Sequence, residues 1–161
     1  MVPSQVHAGR KPVLVLDTAS LVPRGRAMTL EVDWEGHRLP IVLLRWARRG
    51  LRAYVNLCPH MGVPLDRAAS GLFDGAKRHL VCTTHGALFR PADGVCVSGP
   101  CAGDHLDALE AVEVFEQIQV FIPPALADQL RRQRALLTAL GPRPPAPCVQ
   151  PPAGPGGSTP E

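Results

Sequence analysis

The chain has 161 residues, of which 45% are hydrophobic and 4% aromatic, enough for one domain built around an aliphatic core. Its formal net charge of +3, from 17 basic and 14 acidic residues, is too small to argue for a nucleic-acid partner. No stretch approaches the ~20 apolar residues of a membrane span, and no long apolar run follows the first basic residues, so neither a span nor a signal peptide is expected.

Residues 1–10 carry no pattern and are expected to be disordered. From residue 27 the pattern is clear. Met28, Leu30, Val32 and Trp34 alternate with Thr29, Glu31 and Asp33, the period of a half-buried strand. Glu35-Gly36 is a turn signal. Residues 38–46 are apolar enough for a more fully buried strand, and Arg48-Arg49-Gly50 turns the chain again. Leu51, Ala53, Val55 and Leu57 then alternate with Arg52, Tyr54 and Asn56, completing a three-stranded meander.

The third strand runs straight into Cys58. A loop-rich stretch to about residue 106 follows, punctuated by Asp74-Gly75 and Asp93-Gly94, with Cys96 on a strand near its end. Val112 and Val114, then Ile118, Val120 and Ile122, form a hairpin with its turn near Glu116-Gln117. Pro123-Pro124 closes the sheet and opens a helix over 125–140, with Leu126, Leu130, Leu137 and Leu140 roughly on one face. Gly141-Pro142 stops it, and the Pro/Gly-rich residues 141–161 read as a disordered tail. The whole is an all-β antiparallel domain over 11–124 with a short C-terminal helix. The 18 Pro and 15 Gly suit such a loop-rich chain.

Two short motifs carry chemistry: Cys58-Pro59-His60-Met61-Gly62 and Cys82-Thr83-Thr84-His85-Gly86. Each offers one thiolate and one imidazole within a tight loop, and 21 residues separate His60 from Cys82. Such donors suit zinc or iron. Structural zinc loops usually pair Cys with Cys and His with His. Here each loop mixes the two, as C-x-H and C-x-x-H, which suits an object with two metal ions, each loop giving its Cys to one and its His to the other. Zinc in the same four ligands stays open as the alternative. His7, His37, His79 and His105 read as plain surface histidines. With no disulfide framework evident, the 5 Cys are expected as ligands or free thiols in a reducing compartment, the cytoplasm.

The two motifs resemble the cluster-binding loops of the Rieske iron–sulfur family, and Gly99-Pro100 sits where that family has a proline-containing loop that shields its cluster. The resemblance covers roughly residues 13–122. It implies a Rieske-type antiparallel β sandwich with a loop-rich cluster-binding subdomain. It also implies one [2Fe–2S] cluster on Cys58, His60, Cys82 and His85, with Gly62, Gly86, Ala87, Phe89 and Pro100 around it. With two thiolates and two neutral imidazoles the oxidised site is neutral and the reduced site carries one negative charge, which is easier to reach than the all-Cys equivalent.

Departures from the family pattern refine the expectation. High-potential members carry an extra Cys in each loop and join them in a disulfide; here those positions are Val63 and Thr84. High-potential members also place a Ser and a Tyr hydroxyl on cluster or ligand sulfurs; here those positions are Ala87 and Phe89. A potential at the low end of the family range, about −150 to 0 mV, is therefore expected. Cys96 and Cys101 read as small buried thiols and Cys148 as a free thiol. Phe73, in a projecting turn, reads first as local packing and second as a partner contact. Arg67, Lys77, Arg78 and Arg90 would bias the cluster end positive and favour an acidic partner.

The resemblance implies a one-electron carrier, a ferredoxin-type component serving reductase and oxygenase partners. The alternatives are a Rieske subunit of a larger oxidoreductase and a structural zinc or redox-sensing module. A self-contained oxygenase would need a second iron site of two His and a carboxylate; the residues after 122 do not build one.

Overall fold

The computed structural model describes residues 9–18, 27–46, 50–66 and 71–140. The alternating stretch becomes β2 (Ala27–Trp34), which turns through Glu35 and Gly36 into β3 (His37–Arg45). Both turn residues have positive φ, 52° and 75°, as a two-residue hairpin that follows the strand twist requires. β4 (Leu51–Val55) pairs antiparallel with β3, Ile41 opposite Val55. The expected turn at 48–49 lies outside the described residues; its closing bond runs from the Trp46 amide to the Gly50 carbonyl, 3.0 Å.

After the loop region, β8 (Ala108–Val114) and β9 (Gln117–Phe121) form the expected hairpin. Its turn is Phe115-Glu116, one residue earlier than the sequence suggests, with φ of 46° and 33°. A four-residue strand that the sequence pattern does not announce, β1 (Leu14–Asp17), pairs with β9 and completes an antiparallel six-stranded sheet ordered β1-β9-β8-β4-β3-β2. It is short and lies at the edge, and Val15 faces solvent, so it has little apolar signature of its own. Arg10 anchors its approach. The guanidinium pairs with Glu110 at 2.8 Å, donates to the Ile122 carbonyl at 2.6 Å and lies over the Phe121 ring. Of the residues expected to be disordered, 1–10 and 141–161, residues 1–8 and 141–161 lie outside the described residues, whereas Arg10 is held by the contacts just given.

The stretch 58–106 has more regular structure than the sequence suggests. β5 (Leu80–Val81), β6 (Leu88–Phe89) and β7 (Cys96–Ser98) form a second antiparallel sheet ordered β5-β6-β7. Strands of two or three residues are too short to show a period, which hides them in the sequence. This subdomain covers one face of β3 and β4. Val42, Leu44 and Tyr54 on that face share a core with Leu65, Leu80, Phe89 and Leu106. β4 is therefore buried on both faces, and Tyr54, which alternation places outward, is 1% exposed. Its hydroxyl donates to the Pro91 carbonyl at 3.1 Å, satisfying the polar atom that burial would otherwise strand. Desolvation in this core pushes the Tyr54 phenol up to about 12.

The helix α1 runs Pro124–Leu140. Pro124 takes the first helical position, where no amide is needed, and the Ala127 amide reaches back to the Pro123 carbonyl at 2.9 Å. The chain divides into two compact units after Ala127. In the first, Leu126 and Ala127 are buried; in the second, Leu136 is exposed.

Candidate metal centre

Asn56, at the exit of β4, sets up the first loop. Its amide donates to the Pro40 carbonyl at 2.8 Å, fixing it to β3. Its side chain accepts from the Leu65 amide at 3.1 Å and donates to the Asp66 carboxylate at 2.9 Å, so one buried residue holds both ends of loop 58–66. Within that loop the Cys58 carbonyl accepts from the Met61 and Gly62 amides, and the Cys58 amide bonds to the Val63 carbonyl. Gly62 has φ of 62°, the left-handed conformation that reverses the chain after His60. The second loop repeats the design. The Cys82 amide bonds to the Ala87 carbonyl, the Gly86 amide bonds to the Cys82 carbonyl, and Gly86 has φ of 72°.

The two loops are tied to each other. The Leu65 carbonyl accepts from both the Thr83 amide, 2.8 Å, and the Thr83 hydroxyl, 2.9 Å. With Val63 and Thr84 in place of a cysteine pair, this pair of hydrogen bonds from the neighbouring Thr83 links loop to loop. The third loop closes on the second. Gly99, φ 108°, lies so close to Ala87 that a Cβ would meet the Ala87 Cα at 2.7 Å. Pro100 is exposed beside it, and Ala87 and Phe89 are fully buried beneath.

This scaffold sorts the four proposed ligands into two pairs. Cys58 and Cys82 are buried, 2% and 1% exposed, and lie in one buried cluster with their side chains within interaction range. Burial pushes the Cys58 thiol up, against a hydrogen bond from the His60 amide that favours the thiolate. His60 and His85 are exposed, their ring centroids 4.9 Å apart and nearly perpendicular. Sulfurs lie inside, imidazoles outside. Among the described residues no three His, Cys, Asp or Glu side chains gather around a point that would suit one ion. A [2Fe–2S] cluster asks instead for two separated donor pairs, and thiolate with imidazole is the donor chemistry that iron–sulfur centres take. The donor set fits that group.

Other residues singled out in the sequence have structural roles. Phe73 stacks on Trp46, centroids 6.0 Å apart, and packs against the subdomain core. His79 bonds through its ring to Asp74, 3.2 Å. Partial desolvation alone would raise the Asp74 carboxyl, but the Arg78 and His79 amides and the His79 ring hold it below its usual value. His37 and His105 are exposed; His7, Arg67 and Cys148 lie outside the described residues. Lys77 and Arg78 sit on an exposed turn, and Arg90 pairs with Asp93 at 3.0 Å. The exposed loop residues beside the imidazoles, Pro59, Met61, Gly62, Thr84 and Gly86, carry no charge. Sequence reasoning missed Asn56 and Thr83. A polar residue directly before or inside each Cys/His loop was the available signal.

Comparison with known proteins agrees with this geometry. The family model for the Rieske [2Fe-2S] domain matches residues 11–119. The cytochrome bc1 complex Rieske iron-sulfur subunit of Streptomyces lividans is 33% identical over 66 residues, 41% of this chain and 36% of that protein. The same subunit of Streptomyces coelicolor is also 33% identical over 66 residues, which is 17% of its length. The chain thus spans about a third or less of the curated relatives it matches. Among solved structures, the ferredoxin of carbazole 1,9a-dioxygenase from Nocardioides aromaticivorans IC177 aligns over 70% of this chain and 99% of its own, at 26% identity and a TM-score of 0.55. The terminal oxygenase of carbazole 1,9a-dioxygenase from Novosphingobium sp. KA1 shares the fold over 67% of this chain and 28% of its own, at 21% identity and a TM-score of 0.52. The all-β expectation is met, and the chain belongs to the Rieske [2Fe-2S] domain family, whose cofactor is one [2Fe–2S] cluster.

Proposed function

We propose that this protein is a one-electron carrier whose cluster would be held by Cys58 and Cys82 from the buried side and by His60 and His85 from the exposed side. The observation that carries the reading is the sorting of the donors: two thiols in one buried cluster beneath two exposed imidazoles whose ring centroids are 4.9 Å apart. When bound, the cluster supplies a site that takes up and releases a single electron. The protein's residues do the rest. Cys58 and Cys82 anchor from the dry side, where Leu65, Ala87 and Phe89 exclude water. His60 and His85 carry the site to the surface, where a partner can approach their ring edges. The hydrogen-bonded ties through Asn56 and Thr83 hold the loops in place, so that little rearrangement accompanies electron transfer.

The redox partners we propose are a reductase and an oxygenase; the chain resembles a dioxygenase's ferredoxin along nearly that protein's full length. The uncharged surface beside the imidazoles suits short-range apolar docking. The cluster domain is taken as residues 11–124, supported by the compact unit that ends at Ala127. The buried, unpaired thiols suit the reducing cytoplasm. Among the described residues no helix is long and apolar enough to cross a membrane.

The test is iron and sulfide content of the wild type and of four single variants, Cys58→Ala, His60→Ala, Cys82→Ala and His85→Ala. Two irons and two sulfides per wild-type chain, lost in each variant, are expected; a variant that keeps the full cluster removes that residue from the ligand set. The second reading, a permanent subunit of a larger complex, rests on the likeness to bc1-complex subunits. Sizing the native protein with its candidate partners separates them: a carrier elutes alone, a subunit does not.

A further inference from the structure

Two cysteines remain beside the centre with no assigned task. Cys96 on β7 and Cys101 after Pro100 are both buried, 1% and 4% exposed. Their sulfurs are 3.3 Å apart, and the Cys96 thiol lies 3.3 Å from the Ser98 carbonyl. Cys101 and Cys58, a proposed cluster ligand, also belong to the same buried cluster, with their side chains within interaction range.

A thiol has one proton to give. The Ser98 carbonyl can only accept, so the Cys96 proton goes there. That leaves the Cys101 proton a choice between two sulfurs, the neutral one of Cys96 and that of Cys58. A Cys58 that ligates iron does so as a thiolate, and a hydrogen bond to a charged acceptor is about twice as strong as one to a neutral acceptor. The proton turns to Cys58. We propose that Cys101 is a potential-setting residue, its S–H donating a hydrogen bond to the Cys58 sulfur. It would do from the third loop what hydroxyls at positions 87 and 89 cannot do here, since those residues are Ala and Phe. The contact of Gly99 with the Ala87 backbone holds that loop, and Cys101 with it, against the centre.

A donor on a ligand sulfur stabilises the reduced site, which carries the extra negative charge, so removing it lowers the potential. The inference rests on the ligand reading above. The test is the reduction potential of anaerobically purified holoprotein, with the EPR signal of each reduced sample recorded alongside. Cys101→Ala is expected to shift the potential downward. Cys101→Ser, which keeps a donor, is expected to stay closer to wild type, and Cys96→Ala to leave the potential where it was. Equal shifts in C101A and C101S, or no shift in either with the signal intact, would overturn the donor role and leave the ligands standing. If C101A does not retain iron, pulsed EPR of wild type and C101S in D₂O decides. An exchangeable deuteron coupling that changes between them is expected; an unchanged one overturns the proposal. Alkylation and mass spectrometry of the native protein are expected to find both thiols free. A Cys96–Cys101 disulfide would overturn the proposal, since the donor would not exist. Wild-type protein with no signal from a His-ligated cluster would overturn the ligand reading itself, and this inference with it.

Discussion

Gly99→Ala tests how the third loop is held against the centre. A Cβ there would lie 2.7 Å from the Ala87 Cα, 3.1 Å from its Cβ and 3.3 Å from its amide nitrogen. Two of those atoms are backbone and cannot swing aside. Unstrained carbon contacts begin at ~3.5 Å, so one loop must move by most of an ångström. Overpacking of this kind costs about 1–3 kcal/mol, and a non-glycine residue at φ of 108° adds about 1–3 kcal/mol. Gly62→Ala is the control. It has a left-handed φ of 62° but nothing within 4 Å of the added atom, so only a conformational cost of about 1–2 kcal/mol applies. Thermal melts of the two holoproteins, followed by circular dichroism, should separate them. At roughly 2–8 °C per kcal/mol for domains of this size range, the added overpacking should drop Gly99→Ala at least about 2 °C further than Gly62→Ala. Equal melting temperatures would mean that the third loop is not seated on Ala87, and the account of how it reaches the centre would fail.

Tyr54 is the sole tyrosine, so its ionisation can be read alone in the ultraviolet. Its tyrosinate band should appear near pH 12 in the native protein and near pH 10 once unfolded. Because the folded value lies above the unfolded one, the stability it contributes is complete below about pH 10 and is lost as pH rises toward 12. A native midpoint at 10 would contradict its burial. Asn56→Ala leaves the Leu65 amide without its side-chain acceptor, and should cost about 1–3 kcal/mol in chemical denaturation and speed loss of iron; an unchanged denaturation midpoint would remove Asn56 from the scaffold. The lowered Asp74 carboxyl contributes stability above its unfolded value near pH 4, lost as pH falls through the lower folded one. Asp74→Asn should therefore flatten that part of the pH–stability curve, and an identical acid limb in the variant would count against the Asp74 hydrogen bonds.

The parts legible in the sequence were those with a period or a chemical signature. β2 and the β8–β9 hairpin followed from alternation, and the four proposed ligands from two Cys/His loops. What escaped was set by tertiary context. β1 is an edge strand of four residues completed by β9, and β5–β7 are too short for any period. Tyr54 falls on the polar beat of β4 and Asn56 continues that beat just past the strand, yet the cluster-binding subdomain packs over Tyr54, and Asn56 is buried as well. The two hydrogen bonds from Thr83 to the Leu65 carbonyl join residues whose proximity exists only after folding. The Cys96–Cys101 contact depends on the turn at Gly99-Pro100, and the sequence spacing alone did not say that Cys101 would face Cys58.

Cys58, His60, Cys82 and His85 are proposed to hold one two-iron cluster together. The most direct measurement is the EPR spectrum of dithionite-reduced protein with iron and sulfide counted on the same sample. A rhombic signal with the lowered average g of a His-ligated [2Fe–2S] site, at two irons per chain, is the expected result. Zinc with no signal, or the signal of an all-Cys cluster, would contradict it; the latter would mean that Cys96 or Cys101 stands in for a histidine.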